Sequence, residues 1–415
     1  MDKKLLILYG AGEYGEALIN KCNKLNIHVE CLCDADLKKK GLCISGIVVK
    51  SIDEVKSQYK KGEYCIFVSM KPTNAMAVKS ELVSQNVFDS SDFCVEDTFD
   101  KLIVGRLSKK AKNNKEKREL CVSSTEKNII LLNNEQEDAL KEVLLKTKFS
   151  DKDYMDTEYG KKGFLDHLYN RLNDFRRSFI PWLESIRPIK NSKILEIGCG
   201  TGSTTIALCE QGANVYAIDV DEQGLEITKK RLDIYGLCAE VEKVSSVDIK
   251  TKTHGDFDFI IYSASMEHMT YTERIQTIKA AYDMISDNQY IVLVDVPNRL
   301  WHTDSHTSLE PFYDWLPDAL AMDYAKYTER EIFNHGFDKD SGDELIRLYR
   351  WGRGVSYHEF EVAVGCGKLC VVSDMYDFFD VPYDLYKLCL KINGPSHIDD
   401  GFYSRALNIV LKKKV

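Results

Sequence analysis

An acid followed by three alternate glycines, Glu196-Ile197-Gly198-Cys199-Gly200-Thr201-Gly202, carries the densest chemical information in this sequence. Glycine at 198, 200 and 202 lets a chain turn sharply from a strand into a helix and brings backbone N–H groups close to a ligand. Asp219 ends the next apolar run, seventeen residues past Gly202, where its carboxylate can accept hydrogen bonds from both hydroxyls of a ribose. The combination predicts a bound nucleoside. Dinucleotide sites favour GxGxxG with pyrophosphate at the helix start, whereas ExGxGxG sets the carboxylate of Glu196 beside the turn, which suits a cationic amino-acid moiety.

A second group of reactive residue types occupies residues 295–315. His302, Asp304, His306 and Glu310 bring titratable groups together, while Trp301, Phe312, Tyr313 and Trp315 offer flat apolar faces suited to a sugar ring or another cyclic acceptor. Asn298, Arg299, Trp301, Asp304, Glu310 and Trp315 are therefore expected to bind substrate, and Arg353 to grip a phosphate or carboxylate. Removing a hydroxyl proton calls for a neutral histidine within hydrogen-bond reach, and the order of expectation is His306, then His302, then His268. His302, Asp304 and His306 alternate and could face one way as metal ligands, but no fixed spacing specifies an ion and none is assigned. His358 and Glu359 read as polar residues on a strand.

The N-terminus has its own glycine turn, Gly10-Ala11-Gly12-Glu13-Tyr14-Gly15, with Asp34 nineteen residues after Gly15. Taken alone, Gly10, Gly12, Gly15 and Asp34 suggest NAD. The unit is short for a full dinucleotide fold, however, and no hydride-transfer residues accompany it. A nucleotide or nucleotide-sugar site and a scaffold or dimerisation unit are the two expectations.

Positioning these residues requires two α/β units. In the first, strands are expected at Leu5–Tyr9, 28–33 and Tyr64–Val68, with a capping box at Ser51-Ile52-Asp53-Glu54 opening a helix. Residues 107–150 turn polar and lysine-rich and read as a linker with one helix, and Leu168, Leu172, Phe175, Phe179 and Trp182 recur at the spacing of an amphipathic helix. The second unit has strands at Lys193–Ile197, Asn214–Asp219, 257–262, 290–296 and 405–411. The expected organisation is a small Rossmann-like domain at 1–106, a linker at 107–150, and an α/β domain at 151–415 with an acceptor-binding insertion at about 298–400.

From residue 192 to 412 the chain resembles the class I S-adenosylmethionine-dependent methyltransferase family, and its 295–306 segment resembles the bacterial members from polysaccharide and glycosylation clusters. The resemblance implies that Gly198, Gly200 and Gly202 pack against the methionine part of S-adenosylmethionine, Asp219 binds its ribose, Val220 flanks the adenine, and Ser246 or Asp248 approaches the adenine amine. Ser265-Met266-Glu267-His268 resembles the segment that lines the methyl-transfer site. O-methylation of a sugar, nucleotide-sugar or glycan precursor is the implied activity. A nicotinamide-dependent sugar oxidoreductase and a non-catalytic nucleotide-responsive binding protein are the alternatives. The N-terminal unit resembles the nucleotide-binding domain at the front of bacterial sugar acyltransferases.

Bulk properties agree with a folded enzyme. At 415 residues the chain exceeds one ordinary core, and 65 acids against 56 bases, net −9, argue against a nucleic-acid partner. The first apolar run is too short for an export signal, and no stretch has the length of a membrane span, so a cytoplasmic location is expected. Thirteen cysteines without a CxxC pair are expected to be reduced thiols. The sequence leaves a homo-oligomer open.

Overall fold

The run Lys193–Ile197 has no polar face to offer solvent: Ile194 and Leu195 point to opposite sides and both are fully buried, as in a strand covered on both faces. In the computed structural model this strand is central to the larger of two sheets. The structure describes residues 4–94 except 26 and 71, residue 102, and residues 115–253, 256–338, 341–381, 385–395 and 397–414. The chain divides into two compact units, Met1–Ala111 with Pro382–Ser396, and Lys112–Val381 with His397–Val415.

The first unit holds β1 (Leu5–Tyr9), β2 (Cys31–Cys33), β3 (Cys43–Ile44), β4 (Ile47–Lys50) and β5 (Tyr64–Val68) in the order β3-β4-β2-β1-β5. All pairs are parallel except the β3–β4 hairpin. The expected capping box is present, with Ser51 and Glu54 satisfying each other's backbone N–H groups. Leu8, Leu18, Ile19, Leu32 and Val49 form one side of the core, completed by Leu388 and Ile392 of the helix Leu385–Asn393. A helix from the expected acceptor-binding insertion thus packs into the N-terminal unit.

The second unit holds β6 (Lys193–Ile197), β7 (Asn214–Asp219), β8 (Glu240–Lys243), β9 (Phe259–Ser263), β10 (Tyr290–Pro297), β11 (Leu369–Asp374) and β12 (Ala406–Lys413), ordered β11-β12-β10-β9-β6-β7-β8. Strands β6 to β10 pair in parallel, and β12 runs antiparallel between β10 and β11. The order reverses at β6, with β7 on one side and β9 on the other. Such a reversal opens a crevice beyond the carboxyl ends of the strands. This is a doubly wound α/β fold of Rossmann type.

Two departures from expectation have local causes. In place of a linker, residues 115–144 carry two helices, Lys115–Glu126 and Asn134–Leu144, whose Cys121, Leu140 and Leu144 are buried in the main core. His358 and Glu359 lie on the helix Tyr357–Val364, not a strand, because Ser356 and Glu359 form a capping box at its start. The amphipathic stretch is helical, and Leu168, Leu172, Phe175, Phe179, Trp182 and Leu183 enter the core on one face. Each such fully buried side chain contributes about 1.5–3 kcal/mol of transfer free energy. Among the described residues no helix is long and apolar enough to cross a membrane.

Candidate active site

A cavity of about 780 Å³ lies at the carboxyl ends of β6, β7, β9 and β10, within the size range of small-molecule sites. Its floor is the β6 turn. Gly198 has φ +82°, and a Cβ there would come within 2.4 Å of the Ser265 Cβ, so the turn and the β9 end can approach only because this residue is glycine. Gly200, at φ +52°, has open space where its side chain would be. Its N–H donates to Oδ2 of Asp219 at 2.8 Å, while Oδ1 accepts from the N–H of Val220 at 2.7 Å and of Asp221 at 2.9 Å. These bonds aim the carboxylate; two donors occupy Oδ1, and Oδ2, with one donor, keeps a lone pair for a ribose hydroxyl.

Gly198, Gly200, Asp219, Val220, Ser246 and Ser265 all line the cavity. Three residues expected there do not. Glu196 is fully buried, with Oε2 accepting from the Thr205 hydroxyl at 2.7 Å and Oε1 without a partner, and burial pushes its carboxyl up to about 7. Gly202 packs against Thr228, and Asp248 is outside the wall that Ser246 joins.

Across the cavity from Asp219, the ends of β9 and β10 supply a different set. Asp295 stands in the left-handed region at φ +55°, at an irregularity in the β10–β12 pairing, with its N–H held by Asn408 Oδ1 at 2.7 Å. Left-handed backbone at a non-glycine residue costs about 1–3 kcal/mol and persists where surroundings impose it. Burial pushes the Asp295 carboxyl above its usual range. Beside it, Glu267 is fully buried with both carboxylate oxygens lacking a hydrogen-bond partner, and burial pushes it up to about 8. The rings of His268 and His306 meet edge to face at 4.9 Å. Burial, then the neighbouring His268, pushes His306 down to about 4, and burial lowers His268 as well. Both shifts favour the neutral ring.

The structure brings together two of the three expected histidines. His302 is turned away, with Nδ1 paired to the Thr303 hydroxyl at 2.8 Å and its ring beside Trp301, outside the cavity wall. None of the seven expected substrate-binding residues lines the cavity. Asn298 donates to the carbonyls of Phe402 and Ser404 at 2.8 and 2.7 Å. Arg299 lies 3.9 Å from Asp318, and Glu310 accepts from the Glu329 N–H. Trp301 is buried, and Trp315 is exposed beside Phe312, ring centroids 4.8 Å apart. Asp304 is buried and accepts from the N–H groups of His306 and Thr307, both at 2.8 Å, so it positions His306 through the backbone. Arg353 is fully buried between Asp314 and Asp318 at 3.4 and 3.3 Å and donates to the Leu316 carbonyl. Acids and arginines in a loop satisfied their own backbone and one another before reaching for a ligand.

Sequence reasoning missed His167, Arg171 and Asp174, which reach the cavity from consecutive turns of one helical stretch. Two π-helical turns, Asp166–Asn170 and Phe175–Phe179, flank that face, and such turns re-aim side chains toward functional sites. The His167 ring nitrogen Nδ1 meets the Thr201 hydroxyl at 3.0 Å, and burial pushes that ring down to about 3. The i, i+4, i+7 spacing of the three polar residues was the available signal.

Comparison with known proteins finds its match inside the second unit. Residues 194–288 match the family model described as a methyltransferase domain. The match spans β6 to β9, so this part of the second unit carries a methyltransferase domain. A ubiquinone biosynthesis O-methyltransferase of Thiobacillus denitrificans is 28% identical over 101 residues, 24% of this chain and 44% of the relative. A cypemycin N-terminal methyltransferase of a Streptomyces species is 34% identical over 92 residues, 22% of this chain and 32% of the relative. A solved S-adenosylmethionine-dependent methyltransferase from Methanosarcina mazei matches 26% of this chain and 54% of its own at 23% identity and TM-score 0.25. The chain spans about half or less of the length of these relatives, so the likeness belongs to the domain. No comparison supports a nicotinamide oxidoreductase.

In the N-terminal unit the glycine turn is built in a parallel manner. Asp34 Oδ2 accepts from the Ala11 N–H at 2.7 Å and from Lys39 Nζ at 2.9 Å. Gly15 leaves no room for a side chain, since a Cβ would fall 2.0 Å from the Gly10 carbonyl oxygen, and Gly12 precedes the helix Glu13–Lys24. Lys39 thus occupies the carboxylate that a ribose would take.

Proposed function

We propose that the protein transfers a methyl group from S-adenosylmethionine to a hydroxyl of a small acceptor. The observation that carries this reading is one continuous cavity with the Gly198 to Gly200 turn and Asp219 at one end and Glu267, His268 and His306 at the other. A sulfonium cofactor supplies an electrophilic methyl group. Asp219 holds its ribose, the Gly198 and Gly200 backbone packs on its amino-acid part, and Val220 and Ser246 border its base. A sulfonium held this way would lie in the cavity whose wall also carries Ser265, His268 and His306. In-line displacement depends on alignment and on exclusion of water, and half-buried walls on β9 and β10 favour both. His306 is the residue assigned to the acceptor oxygen, with His268 beside it.

The names of the relatives include O-methyltransferases and an N-terminal methyltransferase, and the ubiquinone enzymes support oxygen. Within that class a sugar, nucleotide-sugar or glycan precursor is the proposed acceptor on the resemblance of residues 295–306 alone, since Asp304, Trp315 and Arg353 lie outside the cavity wall. Incubation with methyl-labelled S-adenosylmethionine and a panel of hydroxylated sugars, nucleotide-sugars and phenols tests this. Label is expected in an alcohol product. Label confined to amine or carbon acceptors would overturn the hydroxyl assignment.

A further inference from the structure

We propose that Glu267, His268 and His306 form a divalent-cation site at the acceptor end of the cavity. Their ligand atoms, one carboxylate oxygen and two imidazole nitrogens, all lie within 4.8 Å of one another. An ion bound at about 2.0–2.2 Å sets its ligands up to about 4 Å apart, so small side-chain rotations close the set. Two features show that the groups are prepared for a ligand. Glu267 is fully buried, lines the cavity, and has no hydrogen-bond partner on either carboxylate oxygen. A native structure rarely leaves such an acceptor empty, because a buried unpaired carboxylate costs several kcal/mol.

The second feature is the orientation of His268. Its Nδ1 lies 2.9 Å from the Arg350 carbonyl oxygen, which only accepts, so Nδ1 carries the proton and the Nε2 lone pair faces Glu267 Oε1 at 4.0 Å. A carbonyl behind one ring nitrogen is the usual outer support of a metal-bound histidine. His306 is held with equal care. Asp304 fixes its backbone, and Gly352 lies so close that a Cβ there would fall 2.3 Å from the His306 Cδ2. Nothing larger than glycine leaves the ring where it is.

Two imidazoles and one carboxylate suit a borderline divalent ion such as Zn²⁺, Mn²⁺ or Co²⁺ and leave coordination positions open toward the cavity. This rests on the methyltransferase reading for its purpose. An acceptor hydroxyl bound at an open position would be acidified by the ion; as its oxygen bonds to the methyl carbon the carbon–sulfur bond breaks, S-adenosylhomocysteine is the leaving group, and the hydroxyl proton goes to bulk water. His306 then acts as a ligand and not as the base.

The test uses tag-free full chain stripped with chelator and titrated with Co²⁺ in the absence of cofactor, following visible ligand-field bands, with S-adenosylhomocysteine titrated separately. One Co²⁺ per chain is expected, with affinity falling at least about 100-fold in Glu267→Gln and His306→Asn while S-adenosylhomocysteine affinity stays within about 2-fold. Retained cofactor-product binding shows that the variants fold. No saturable Co²⁺ binding by the wild type, or equal affinity in both variants, overturns the cation site whatever the cofactor result. Tight Co²⁺ binding without S-adenosylhomocysteine binding sustains the cation site and overturns the methyltransferase reading alone.

Discussion

Glu196 shows how a residue can belong to a motif without touching the ligand. Its carboxyl is raised by burial from 4.5 to about 7. An acid with a folded pKa above its unfolded value gives a contribution to stability that is complete below the unfolded value and lost as pH rises through the folded one. Wild-type stability is therefore expected to drop between about pH 4.5 and pH 7, and Glu196→Gln to flatten that drop and gain about 1–3 kcal/mol at pH 8. Urea unfolding of both proteins at several pH values checks this; parallel curves would contradict it. His306→Ala is expected to lower turnover at least about 100-fold and leave S-adenosylhomocysteine affinity unchanged. Unaltered turnover would remove His306 from the acceptor end. That Gly198 and Asp219 line one cavity was legible because their placement depends on backbone conformation and local spacing. Asp304 and Arg353 were misread because composition gives residue type and not direction, and each found partners in its own loop.

At the scale of elements, the helix Asn134–Leu144 is the clearest case of structure hidden by polarity. Leu140 and Leu144, one turn apart, are buried in the main core, yet they sit among Glu135, Glu137, Asp138, Lys141 and Glu142. Leu144→Ala is expected to cost about 2–5 kcal/mol, the range for a buried leucine whose site cannot collapse. A change under about 0.5 kcal/mol in denaturant unfolding would return this stretch to a linker. The strand Glu240–Lys243 was hidden in the same way, since an edge strand blunted by charge shows no apolar run. The central strands β6, β7, β9 and β10 were legible because burial on both faces demands continuous apolar residues.

Across the whole molecule, chain order and spatial order part company. The helix Leu385–Asn393 follows most of the second unit in sequence but places Leu388 and Ile392 in the core of the first. No periodicity could assign it to partners as far back in the chain as Leu18 and Cys22, because an amphipathic pattern states that a face is buried and not against what. Leu388→Ala is expected to weaken hydrogen-exchange protection of β1, β2 and β5 by about 2–5 kcal/mol and to leave β6 and β9 unchanged. Protection unchanged in β1, β2 and β5 would contradict the placement. The reversal of strand order at β6, with β7 on one side and β9 on the other, puts Asp219 and the His268–His306 pair on the wall of one crevice.

The proposed function requires that crevice to hold S-adenosylmethionine through Asp219. Calorimetric titration of S-adenosylhomocysteine into wild type and Asp219→Ala, with NAD as a parallel ligand, tests it most directly. Saturable binding to the wild type, at least about 10-fold weaker in Asp219→Ala, with no NAD binding abolished by the same change, is the predicted result. Equal affinity in the two proteins, or NAD bound at this site in place of S-adenosylhomocysteine, would contradict it.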